Sequence, residues 1–162
     1  MKISILILTL AILLVSCKKD TKEQDRTING VNVNIAVSTF NSFRTKGISN
    51  YPSVAAVSWN DTLSLAAYNF AKAKAEDIGT SSNVYSLSNG QFILDFPRAL
   101  NYSRLANFAL HYSYAEGTDL STVIGVGFAS DDQTILDGLM SSKFKQFGMG
   151  DFEGELFLIM SN

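Results

Sequence analysis

The sequence predicts an α+β domain, a three-layer α/β/α sandwich, and three stretches carry that expectation. Residues 51–79 run from an apolar extended piece through Trp59, the one tryptophan of the chain, into an alanine-rich helix. Helical periodicity is concentrated early, over 32–46 and again from Leu63 to Ile78. Two β-prone runs, 144–150 (FKQFGMG) and 155–160 (ELFLIM), close the chain. Amphipathic helices need a surface to cover, and a strand pair can supply it.

Taken in order, the chain starts with Met1 and Lys2 and an apolar run over 3–15 (ISILILTLAILLV). That run is too short for a comfortable membrane span and suits a signal-peptide core. Leu14-Val15-Ser16-Cys17 resembles a bacterial lipobox, which implies cleavage before Cys17 and lipidation of its thiol. Cys17 is the only cysteine, so it has no intramolecular disulfide partner. Two or three acyl chains anchor stably where a single chain is marginal. Residues 1–16 are therefore expected to be a lipoprotein signal peptide and 17–31 a lipidated flexible tether. Within it, KKDTKEQ (18–24) is charged and has no apolar residue. Its lysine and acid cluster resembles the export signal of surface lipoproteins in the Bacteroidetes. The expected address is the cell envelope, lipid-anchored in the outer membrane. Without Lys2 the chain holds 12 basic and 15 acidic residues, a net charge of about −3. With no basic run beyond the tether, nucleic acid is not an expected partner.

The domain is expected over 32–162. Val33, Val37 and Phe40, with Ile35 and Phe43, mark a first helix that Gly47 stops. In the next helix Leu63, Ala66, Ala67, Phe70, Ala71, Lys74 and Ile78 share one stripe, which Lys74 alone interrupts. Its alanines leave a slim surface that another layer can approach closely. Residues 79–83 are a loop, and 84–96 are irregular with a turn signal at Asn89-Gly90. Pro97 opens a helix over about 97–101. Residues 105–114 (LANFALHYSY) fit helix or strand. Within 119–130, Val123-Ile124-Gly125-Val126-Gly127-Phe128 is β-branched and glycine-interrupted, a local strand signal. Ile135, Leu136, Leu139 and Met140 are helical in spacing. Residues 151–154 (DFEG) are the expected hairpin, and Gly148 and Gly150 suggest close backbone approach or a bulge.

A family resemblance emerges at this point. Asn41-Ser42-Phe43-Arg44, then Pro52, then Val57-Ser58-Trp59-Asn60-Asp61-Thr62-Leu63, then Ala66-Ala67 and Ala71 resemble the CAP superfamily. These are the cysteine-rich secretory and pathogenesis-related, or SCP-like, proteins. Tyr85-Ser86-Leu87, Pro97-Arg98-Ala99 with Tyr102, and Met140, Phe144, Phe147-Gly148-Met149-Gly150 continue the resemblance over about 35–160. It implies a CAP-like sandwich in which 119–130 is a helix, and that assignment is preferred over the local strand signal. It also implies a cleft, in which two histidines and acidic residues of the family bind a divalent cation. In this sequence the histidine positions fall on Leu87 and Ile135, and the acidic segment falls near 105–109, which offers only Asn107. One histidine cannot rebuild a two-histidine site, so neither metal nor cofactor is expected.

The candidate ligand-binding cleft is Tyr85, Leu87, Arg98, Asn107 and His111. His111, the only histidine, is the one candidate general base, against a bland reading as a half-buried packing residue. A Ser-His-Asp triad would use it with Asp95 or Asp119. Asp131-Asp132 and the group Asp151, Glu153 and Glu155 match no calcium loop. Gly125-x-Gly127 lacks the context of a dinucleotide fingerprint. Arg98 suits an anion or a structural bridge. Tyr85, Tyr102, Tyr112 and Tyr114, with Phe92, Phe96 and Phe108, suit either a groove or a core. The expected function is non-catalytic: an envelope lipoprotein whose degenerate CAP-like domain binds a lipid, a glycan or a protein. A peptidase-like hydrolase using His111 is the second expectation, and a structural envelope protein the third.

Overall fold

The computed structural model describes residues 25–76, 85–88, 91–94 and 108–162. Its elements are β1 Thr27–Ile28, β2 Val31–Asn32, α1 Val33–Lys46, β3 Ser58–Trp59, α2 Asp61–Ala75, β4 Tyr85–Ser88, β5 Gln91–Leu94, β6 Phe108–Ser113, α3 Leu120–Phe128, α4 Gln133–Leu139, β7 Gln146–Phe152 and β8 Glu155–Ser161. The central sheet has the order β3-β7-β8-β6. β3 runs parallel to β7, and β7–β8 and β8–β6 are antiparallel.

Side-chain alternation along β8 shows why this is a sandwich. Leu156, Leu158 and Met160 enter one core with Ala36, Phe40, Val123, Phe128 and Leu139 of α1, α3 and α4. Phe157 and Ile159 enter a second core with Leu63, Ala66, Phe70 and Ala71 of α2. Both faces of the sheet are therefore covered, α2 on one and the other three helices on the other. The α+β three-layer expectation is met.

The slim α2 is explained by its contacts. Asn60 caps it, its Oδ1 accepting from Thr62 N (2.9 Å) and Leu63 N (3.0 Å), and its Nδ2 donates to Gln146 Oε1 (2.7 Å). Beneath the helix lie Gly148 and Gly150. A Cβ on Gly150 would press on Tyr68 N and sit 2.7 Å from the Ala67 carbonyl carbon. The two glycines mark close approach of helix and strand. Lys74 is half-buried, and Ser64 fills a buried place by donating to Met149 O (2.8 Å).

α1 begins at its Asn32 cap and ends at Gly47, whose φ of 77° only glycine adopts readily. Its buried face is Val33, Ala36, Phe40 and Arg44. Ile35, counted among the expected apolar positions, is instead 36% exposed. Asn41 holds the Val57 backbone at both groups, donating to its carbonyl (2.9 Å) and accepting from its amide (2.8 Å). Arg44 is fully buried; its guanidinium donates to Ala55 O, Ser141 O and Leu139 O.

Several local expectations are corrected. Residues 120–128 are helix α3, as the resemblance implied, and only the local strand signal of the β-branched run is overturned by tertiary context. Asp119 caps that helix, and Gly125 and Gly127 let it lie close to Phe43 and Tyr112. β7 continues to Phe152, so the hairpin turn is only Glu153-Gly154, with φ of 52° and 81°. Within the stretch expected to be irregular, Tyr85–Ser88 and Gln91–Leu94 instead pair antiparallel as β4 and β5. Residues 25–31, assigned to the tether, are partly built into the domain: β1 pairs β2, and Val31 is buried. The helix proposed over 97–101 and the residues beyond 76 in the α2 stripe lie outside the described residues.

Candidate functional site

β6 sets the position of His111. Phe108, Leu110 and Tyr112 face the three-helix core, so Ala109, His111 and Ser113 face the α2 side. His111 lies opposite Phe157 in the ladder, and the two rings stack at 4.5 Å. Ser113 lies opposite Glu155. The Glu155 carboxylate accepts from Ser113 Oγ (2.8 Å) and its Oε2 meets His111 Nε2. Ser113 Oγ is 3.5 Å from that same nitrogen. The His111 and Glu155 side chains are 18% and 20% exposed, so the pair is mostly shielded from water.

This trio has the residue types of a hydrolase and not the connectivity. A serine relay uses both imidazole nitrogens, one turned to the nucleophile and the other to the orienting acid. Here Nε2 faces both partners, and the carboxylate rather than the imidazole sits at the centre. Asp119, one of the two acids considered for a triad, is the α3 cap, accepting from Ser121 N (2.8 Å) and Thr122 N (3.3 Å). Hydrogen bonds from the Ser121 hydroxyl and amide hold its carboxyl below the usual range. Asp95, the other, lies outside the described residues. Asp132 caps α4 through Thr134 N (2.8 Å).

The remaining cleft residues are only partly brought together. Tyr85 and Leu87 lie on β4. Arg98 and Asn107 lie outside the described residues, as does Cys17. Ile135 packs against the three-helix core, on the opposite side of the sheet from His111. Among the described residues, no three His, Cys, Asp or Glu side chains are grouped as a metal would require.

A depression of about 500 Å³ lies at the β7–β8 turn. Left-handed glycines at 30, 117 and 154 shape its rim, and Glu116 and Glu153 stand on it. Tyr114 Oη donates to Asp151 Oδ2 at its wall, while Oδ1 is buried with no partner among the described residues. Burial, and then the Asp151 carboxylate, push the Tyr114 hydroxyl well above its usual pKa. Sequence reasoning named Asp151 and Tyr114 in separate groups. Only the strand register places them side by side.

No family model matches the sequence, and no curated protein matches it. Solved structures do resemble it. An extracellular SCP-domain protein of Bacillus anthracis is 14% identical, over 86% of this chain and 43% of that one, with a TM-score of 0.50. A cysteine-rich secretory protein of Staphylococcus aureus is 17% identical, over 78% of this chain and 38% of that one, with a TM-score of 0.49. An outer surface protein of Borrelia burgdorferi is 17% identical, over 80% of this chain and 91% of that one, with a TM-score of 0.48. The chain thus spans about two fifths of the length of the staphylococcal and Bacillus proteins. The fold is that of a CAP-like, or SCP, domain. Within that fold this chain is divergent, with Leu87 and Ile135 where the resemblance puts the histidines.

Proposed function

We propose that the chain is an envelope lipoprotein, anchored through Cys17, whose CAP-like domain binds a lipid, glycan or protein ligand without catalysing a reaction. The observation that supports the non-catalytic reading is the closed cluster on β6 and β8. The chain's one histidine has its Nε2 turned to both Glu155 and Ser113, and Ser113 donates to the carboxylate and not to an imidazole base. The extracellular description of the Bacillus protein agrees with an exported domain. No helix among the described residues is long and apolar enough to cross a membrane; the acyl chains would provide the attachment.

Growth with labelled palmitate tests the anchor. The wild type takes the label and Cys17→Ser does not; an unlabelled wild type removes the lipoprotein reading. Calorimetric titration with zinc, lipids and oligosaccharides tests the rest, and zinc binding at micromolar concentration would contradict a lost cation site.

One observation favours a hydrolase instead: Ser113, His111 and Glu155 lie within 3.5 Å of one another. That reading requires cleavage of a peptide or ester library that Ser113→Ala and His111→Asn both abolish. A wild type without such cleavage excludes it.

A further inference from the structure

The central sheet gives the domain two chemically different ends. β7 leaves Lys145 and arrives at Asp151, and β8 returns from Glu155 to Ser161. The ends are roughly 20 Å apart at the rise of a strand. At the turn end stand Glu116, Asp151 and Glu153, with Glu155 paired to His111 behind them; Lys72 lies over the Phe152 ring and is held by Glu76 at 3.7 Å. At the far end Lys143 and Lys145 are exposed. Among the described residues neither has a carboxylate within ion-pair distance. Lys145 Nζ donates only to Ser142 O (3.2 Å).

Trp59 belongs to this lysine end. Ser58 N donates to Lys145 O (2.9 Å), and Trp59 pairs with Phe147, their rings edge to face at 5.4 Å. The chain joins the domain at the same place. Arg26 grips Asp61 with Nη2 at 3.0 and 2.8 Å, and Asp61 also accepts from Trp59 Nε1 (2.9 Å). Only residues 18–24 separate Cys17 from Asp25. Even fully extended, they span at most about 25 Å.

Resting on the lipid-anchored reading, we propose that the end bearing Trp59, Lys143 and Lys145 is a docking surface for the anionic lipid in which Cys17 is anchored. The short tether holds Arg26 near the bilayer, and Arg26 neutralises Asp61. A basic side chain near an anionic leaflet is drawn to it, and an indole favours the interfacial layer. The exposed acids of the turn end, Glu116 and Glu153, are repelled, which directs the 500 Å³ depression away from the membrane. Asp131, Asp132 and Asp137 belong to the α3–α4 layer, on the opposite face of the sheet from the Arg26–Asp61 pair. Their repulsion turns the docked surface toward the α2 face, which carries Arg26.

Because Trp59 is the sole tryptophan, its fluorescence reads docking directly. The acylated chain would be reconstituted into phosphatidylcholine vesicles with and without phosphatidylglycerol, each doped with a headgroup nitroxide lipid. Docking predicts stronger Trp59 quenching in the anionic vesicles, reversed by salt. Each lysine contributes roughly fivefold to the docking equilibrium, so K143A together with K145A weakens it roughly 25-fold. Flotation of the double variant with the vesicles should be unchanged, since the anchor is intact. Equal quenching in both vesicle types, or in wild type and double variant, overturns the docking surface while the anchor stands. A chain that neither floats nor carries acyl mass overturns the anchor, and this proposal with it.

Discussion

Replacing Arg44 tests whether a buried cation in this fold serves carbonyl groups or merely fills space. Arg44 is 0% exposed, and burial lowers its pKa from the ordinary arginine value. Its fork donates to Ala55 O (3.2 and 3.1 Å), Ser141 O (3.1 Å) and Leu139 O, tying α1 to the segment before β3 and to the end of α4. Arg44→Met keeps most of the apolar stem and removes every donor. Three carbonyls then lose their partner, at about 1 kcal/mol each or somewhat more in a buried setting. The expected loss is about 3–4 kcal/mol, a large share of the 5–15 kcal/mol typical of a domain. Arg44→Lys keeps a charge but not the planar fork, and should lie between the two. Urea unfolding followed by Trp59 fluorescence measures this, because Trp59 lies edge to face on buried Phe147. If Arg44→Met is within 1 kcal/mol of wild type, stem packing suffices and the reasoning fails.

Two further predictions concern stability. Gly150→Ala forces a methyl group into the α2 backbone at Ala67 and Tyr68. It should cost about 3 kcal/mol or prevent folding, and an unchanged melting temperature would refute the close contact. Tyr112 and Tyr114 are both raised above their ordinary pKa, Tyr112 by burial and Tyr114 by burial and then Asp151. The fold therefore prefers the neutral phenols, and their contribution is intact below about pH 10, where the unfolded side chains titrate. It is lost as pH rises above that toward the folded values. Melting temperature should fall as pH rises from about 10 to about 12, and less so in Tyr114→Phe; equal pH profiles would contradict the assignment.

The parts of the fold legible in the sequence were those where one helix face or one strand alternation faces one core. α1, α2 and the β7–β8 pair follow directly from such patterns, and Gly148 and Gly150 announced the close approach of α2. At 120–128 the resemblance gave the helix while the local strand signal pointed the other way, because β-propensity does not know that Asp119 will cap a helix or that Gly127 must lie beneath Tyr112. Arg44 was visible only as part of an Asn-x-x-Arg resemblance, since nothing local shows that a cation will find three carbonyls far along the chain. The polar clusters were least legible. His111 meets Glu155, and Tyr114 meets Asp151, because of the register among β6, β7 and β8, which no spacing rule states. Ile135, where the resemblance puts a histidine, packs on the opposite side of the sheet from His111.

The order of strands has a consequence for how the chain can fold. Among the described residues β7 and β8 come latest in sequence, yet they stand at the centre of the sheet. Among the described residues, β3 pairs only with β7 and β6 only with β8. Asn29 near the start of the domain must also find Asp151 N (2.9 Å) and Ser64 Oγ (2.9 Å). Until the C-terminal hairpin is available, α2 and the three-helix layer have no shared surface to cover. Such long-range closure makes folding slow relative to a helical bundle. A chain emerging N-terminus first would therefore complete this core only after the β7–β8 hairpin had emerged.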